Sequence, residues 1–219
     1  MFGVALLSLA MGFSGAVVPG PLFALAVNQA LLVGWSAGLW LSVGHMLTEL
    51  ALVGLLRLGL GGVLTRPAVT RGIAVLGGGV LLYFAWGMVQ TAWHGPLLVN
   101  AGHAAMSAPQ LVGMGVVLSV TNPYWLIWWG TAGVALIAAQ TAKHGDRAWP
   151  AFFLGHTLAD YSWYIAVTTA LALGGAFLSP AVHRTLILTC GLGVAVLGVL
   201  FLLHPVREWW RKARITAEG

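Results

Sequence analysis

Six long apolar runs, at residues 4–32, 36–57, 72–93, 110–139, 149–174 and 185–204, organise the chain, and polar residues fall in the short gaps between them or at a few isolated positions inside. A helix that crosses a bilayer needs about 20 mostly apolar residues, and every run reaches that length. The pattern predicts an all-α integral membrane fold of six transmembrane helices. Two of the runs carry their own interruption. Pro19-Gly20-Pro21 lies well inside the first and Asn122-Pro123 lies in the middle of the fourth. Proline removes a backbone donor and clashes with the preceding turn, and it pushes the residue before it out of helical geometry. Both helices should therefore break, each leaving a half-helix that restarts at its proline, a residue well suited to the first helical position. Non-helical backbone at this depth is tolerated where protein buries it or where it lines a wet cavity.

Composition agrees with the pattern. At 59% hydrophobic and 7% charged, the 219-residue chain is far from the roughly 25% charged residues usual in soluble domains. Its mean hydropathy is +0.92. No soluble domain remains, and residues 1–219 form one membrane unit. The first run lacks a basic leader and contains two prolines, so it is read as a retained helix, although Ala24-Leu25-Ala26 mimics a cleavage site. The single cysteine, Cys190, excludes an intrachain disulfide and offers no cysteine-based metal site.

The net charge of +5 points to orientation and away from nucleic acid once it is placed on the spans. Arg57, Arg66, Arg71, Lys143, Arg147, Arg207, Arg211, Lys212 and Arg214 fall on one side of a six-span chain, and Arg184 alone falls on the other. An excess of Lys and Arg marks the cytoplasmic side, which predicts cytoplasmic N- and C-termini. Glu208-Trp209-Trp210-Arg211-Lys212 reads as an interfacial anchor facing anionic lipid.

The rarest residues carry the chemistry. Two of the five acidic residues, Glu49 and Asp160, lie inside apolar runs, each four residues after a histidine: Gly44-His45-Met46-Leu47-Thr48-Glu49 and Gly155-His156-Thr157-Leu158-Ala159-Asp160. An ionisable group within the membrane is expensive and marks a functional site by default. Residues four apart share one helix face, so each His–acid pair points the same way. Aligning Gly44 with Gly155 and Pro21 with Pro123 also brings Gly77 near Gly191, which divides the chain into repeats at 1–93 and 110–204, a connection at 94–109 and a basic tail at 205–219. Three spans per repeat is an odd number, so the halves run inverted. Inverted repeats with paired broken helices and a midplane site are the sequence pointer to a secondary transporter. Gly77-Gly78-Gly79 and Gly87 predict a smooth third helix packed closely on a neighbour. Gly34 and Gly38 allow either a close helix approach or a tight turn, and a homo-oligomer is compatible with the first.

Four readings of the site compete. In the first, helix starts at the breaks (Pro19, Gly20, Pro21, Asn122, Pro123) offer N–H groups to a substrate carboxylate. Glu49 and Asp160 then receive its amino group or carry a coupling proton, with His45 and His156 as relay partners. In the second, His45, Glu49, His156 and Asp160 ligate a divalent metal, as two imidazoles and two carboxylates suit a transition ion. In the third, Gly12-Phe13-Ser14-Gly15 is the GxSG of an intramembrane serine protease, which would need a positioned base beside Ser14. In the fourth, the His–acid pairs are structural cross-links and the protein is a scaffold. The first is preferred. It implies no enzyme and no cofactor, and its partners are a small-molecule solute and membrane lipid, with no nucleic acid.

These residues resemble the LysE/RhtB superfamily of amino-acid exporters. The resemblance rests on Pro19-Gly20-Pro21, on Gly34 and Gly38 after it, on six spans in this length and on Asn122-Pro123. It implies an inner-membrane exporter driven by protons or another ion in an antiport cycle, with amino acids as substrates. The chain departs from the better-characterised exporters at Gly-His-x-x-x-acid, present here in both halves, where they carry Gly-Asp-like chemistry.

Overall fold

The computed structural model describes residues 1–18, 20–64, 66–94, 104–174 and 179–217. Pro19 and most of the 94–109 connection lie outside the described residues, as do the side chains of the 208–212 anchor. Among the described residues the chain is helical throughout, without strands. The helices are α1 (Phe2–Ala16), α2 (Pro21–Val33), α3 (Ser36–Leu55), the short α4 (Gly61–Leu64), α5 (Pro67–His94), α6 (Ala108–Val120), α7 (Pro123–Trp128), α8 (Val134–His144), α9 (Ala148–Gly174) and α10 (Pro180–Ala217).

Both predicted breaks are present. α1 and α2 meet at 84°, and α6 meets the run that begins at Tyr124 at 61°. Proline stands at the first position of α2 and of α7, where its missing N–H costs nothing. Ser36–Gly59 and Pro67–His94 are each long and apolar enough to cross a membrane; the two bent pairs reach that standard together, and Ile187–Leu203 is a shorter apolar stretch. α10 does not stop where the apolar run ends at 204 but continues as helix to Ala217.

Three close pairings build the bundle. α1 lies on α9, α6 lies on α3, and α5 lies on α10. Glycine makes the first two possible. At Gly155 a Cβ would meet the backbone of Ala5, and at Gly44 it would meet the Val112 carbonyl and Gly115. So the glycines that open the two matched motifs are each pressed against the backbone of the half-helix before the other half's break. Gly78 and Gly198 do the same for α5 and α10. The ambiguous pair separates: Gly34 takes φ +74 in the turn from α2 to α3, whereas Gly38 lies against Tyr164 and Thr168 of α9.

The bundle is apolar outside and, apart from one polar layer, apolar inside as well. Leu76, Tyr83, Leu173 and Leu192 point outward and are exposed, while Glu49 is 0% exposed. Along α3, Leu41 belongs to one apolar cluster and Leu52, Val53 and Leu56 to a second. Along α9, Phe152 belongs to the second and Tyr164 to the first. The His–acid motifs lie between these residues on both helices, so a polar layer is sealed above and below by hydrocarbon. At the end of the bundle holding the second cluster, Arg57 reaches Asp146 at 3.7 Å and covers the Trp149 ring at 5.5 Å. At the other end Arg184 stands 5.9 Å from the Trp93 ring.

Candidate functional site

His45, Glu49, His156 and Asp160 converge from α3 and α9. His45 Nε2 lies 3.3 Å from Glu49 Oε1 and 3.9 Å from Asp160 Oδ2. His156 Nε2 lies 2.9 Å from the same Glu49 oxygen and 3.8 Å from Asp160 Oδ2. Each histidine therefore faces its own motif's carboxylate and the other motif's. Glu49, His156 and Asp160 are buried, and His45 is nearly so, its side chain 13% exposed.

Residues the sequence did not single out complete the site. The Trp129 indole N–H donates to Glu49 Oε1 at 3.1 Å. His45 Nδ1 stands 2.6 Å from Ser119 Oγ, which in turn donates to the Gly115 carbonyl at 2.5 Å. Serine has one hydroxyl proton. With that proton on Gly115, His45 Nδ1–H is the donor to Ser119, and Nε2 is turned toward the carboxylates. His156 is walled by aromatic rings, with centroids of Trp128 at 4.6 Å, Trp129 at 4.9 Å and Phe152 at 6.4 Å. Glu49 Oε2, Asp160 Oδ2 and His156 Nδ1 are buried without a hydrogen-bond partner among the described residues. The aromatic signal was present in Pro123-Tyr124-Trp125-Leu126-Ile127-Trp128-Trp129, where Trp125, Trp128 and Trp129 recur at helical spacing after the break. Without the bend nothing aims those rings at α9.

A cavity of about 50 Å³ opens on this cluster, and Gly20, Leu22, Ser119, Asn122 and Tyr164 also line it. Both helix breaks reach it, and a Cβ on Gly20 would stand 3.6 Å from Asn122 Nδ2. The two breaks are not equivalent. Asn122 caps its own half-helix, its Oδ1 accepting from Tyr124 N–H at 3.0 Å. Gly20 precedes α2 in extended geometry with no side-chain acceptor. The two helix starts thus differ: Asn122 occupies one first-turn N–H of α7, that of Tyr124, whereas α2 restarts without a side-chain cap. Pro21 is buried at that start, facing a second, apolar cavity, and Pro123 begins α7. Replacing Asn122 by alanine should cost about 1 kcal/mol through the lost cap and lower the melting temperature by about 2–4 °C. A thermal melt in detergent checks this, and an unchanged midpoint would mean that the cap does not hold the break.

Among the described residues the Ser14 hydroxyl hydrogen-bonds to no base. It donates to the Met11 carbonyl at 2.6 Å and accepts from the Trp128 indole N–H at 3.2 Å, a donor that cannot take a proton. The first glycine of that GxSG has a packing role, because a Cβ on Gly12 would press on Ala159 and His156. The protease reading is therefore set aside for want of an activated nucleophile.

A helical bundle that turns leucine outward and buries a layer of ionisable side chains between apolar clusters is a membrane-embedded protein. Residues 13–204 match the LysE type translocator family, and the chain belongs to that family, one of transporters. It is 30% identical over 171 residues to the chemotactic transduction protein ChpE of Pseudomonas aeruginosa, covering 74% of this chain and 79% of that protein. No solved structure matches the chain.

Proposed function

We propose that this protein exports a small zwitterionic solute, an amino acid or a close analogue, across the cytoplasmic membrane by ion-coupled alternating access. The observation that carries the reading is the buried His45–Glu49–His156–Asp160 layer, closed by apolar residues toward both ends and touched by both helix breaks. A solute carboxylate would lie at the uncapped start of α2, near Gly20 and Pro21, where N–H groups and the helix dipole favour an anion. Its ammonium group, or the coupling proton in its absence, would lie between Glu49 and Asp160.

A cavity of about 50 Å³ holds a few waters and no amino acid. This reading makes the present conformation the occluded state between loadings. Six spans arranged as inverted repeats at 1–93 and 110–204 would supply the motion. Exchanging α1 for α6 and α3 for α9 turns the α1–α9 pairing into the α6–α3 pairing, as a two-fold relation requires. The excess of basic residues beside Arg57 would place that end, and both termini, in the cytoplasm.

The test is counterflow of radiolabelled amino acids in proteoliposomes, run as a competition panel. Saturable uptake against a preloaded solute is expected, and Asp160→Asn should reduce it at least about tenfold at equal incorporation, because a neutral amide cannot hold the counter-cation. A panel in which no amino acid exchanges, or an Asp160→Asn variant at the wild-type rate, would overturn the reading.

A further inference from the structure

We propose that His45 Nε2, Glu49 and Asp160 form a binding site for one divalent transition-metal ion, with His156 and Ser119 as the outer groups that orient the ligands. The inference goes beyond the exporter reading, since it rests on the same layer but not on which solute is carried.

Three observations carry it. The first is geometry. One ligand atom from each of the three residues lies within 4.8 Å of the others, and the two edges at His45 are 3.3 and 3.9 Å. Bonds of about 2.0–2.2 Å to nitrogen and oxygen in a tetrahedral shell separate neighbouring ligand atoms by about 3.3–3.6 Å, so the two edges at His45 are already close to that spacing and the carboxylates would have to approach each other by no more than about 1.5 Å. The second is orientation. The relay from His45 Nδ1–H to Ser119 Oγ to the Gly115 carbonyl commits one ring nitrogen and presents the other to the carboxylates. A ligating histidine characteristically donates its second nitrogen in this way. His156 acts on the other side, its Nε2 donating to Glu49 Oε1 at 2.9 Å, with Trp129 donating to the same atom. Among the described residues Glu49 Oε2 and Asp160 Oδ2 accept no hydrogen bond, so the ligand set has unused acceptors.

The third is charge. Among the described residues no lysine or arginine lines the cavity. The two carboxylates supply the anionic ligands that a divalent ion needs in a site with little water. An imidazole with carboxylates selects a first-row transition ion over Mg²⁺ or Ca²⁺, which favour all-oxygen shells. Three protein ligands leave a fourth position facing the cavity, where a water fits. That open shell suits an ion that must come and go.

The experiment uses full-length protein in detergent, stripped with a chelator and dialysed against Co²⁺, whose tetrahedral complexes absorb strongly in the visible. One Co²⁺ per chain with that absorption, displaced by Zn²⁺, is expected. His45→Gln should abolish it, and Ser119→Ala, outside the ligand set, should weaken affinity about 10–100-fold while the protein still melts cooperatively. Absence of bound Co²⁺ would overturn the proposal, as would Co²⁺ bound equally by wild type and both variants, which would place the ion on other histidines. Counterflow in chelator-treated vesicles reports on the exporter reading alone, so either inference can fail without the other.

Discussion

Glu49→Gln is expected to lower transport about 100-fold or more while the protein still inserts and melts as a folded bundle. Glu49 Oε1 is the hub of the layer, meeting His156 Nε2 at 2.9 Å, Trp129 Nε1 at 3.1 Å and His45 Nε2 at 3.3 Å. Glutamine has the same shape and keeps a carbonyl oxygen at that point, so the donors retain an acceptor. What it loses is the charge, and hydrogen bonds to an ionised acceptor are roughly twice as strong as neutral ones. A difference of 3 kcal/mol in holding a cation is a factor of about 100 or more. The measurement is efflux from proteoliposomes at matched incorporation, with a detergent melt of the same preparation. Wild-type efflux from the glutamine variant would remove the carboxylate layer from the mechanism.

The second large effect concerns folding. Gly44→Ala and Gly155→Ala should each lower the melting temperature by about 5–10 °C, from overpacking of up to about 3 kcal/mol. The added methyl at Gly44 meets the Val112 carbonyl, and at Gly155 the Ala5 carbonyl, in both cases backbone inside a helix and not a side chain that can swing away. Helices in lipid associate largely through such close approaches of small residues, so losing one removes a main source of cohesion. Gly113→Ala and Gly79→Ala are the controls, since a Cβ there meets nothing within 4 Å. If Gly44→Ala melts like Gly113→Ala, the close crossing of α3 and α6 is wrong. Because Gly44 and Gly155 occupy matched places in the two motifs, comparable losses at both would also support the two-fold relation, and a loss at only one would count against it.

Much of this was legible in the chain before folding. The apolar runs mark helices because hydrocarbon leaves the backbone no other way to satisfy its polar groups. Pro21 and Pro123 mark helix starts because proline cannot continue the helix before it. The repeated Gly-His-x-x-x-acid marks the site because ionisable residues do not persist in lipid without a task. Other features had no local signature. Ser119 is an ordinary small polar residue until α6 crosses α3 and sets it beside His45. Trp129 is one of 11 tryptophans until the bend at Asn122 points its N–H at Glu49. The inequality of the two breaks, by contrast, is a local one. Asn122 before Pro123 resembles Gly20 before Pro21 as a helix breaker, but only the asparagine has an acceptor to close its own helix start.

The sequence by itself determined the all-helical membrane class, the two breaks and the identity of the four buried ionisable residues, because each follows from local chemistry: length in hydrocarbon, a missing N–H, a charge without water. Only the tertiary structure decided that the four converge, that Ser119 turns His45 toward the acids, and that Trp129 holds Glu49. Those depend on which helix crosses which and at what depth, and glycine-to-backbone contact sets both through shape alone.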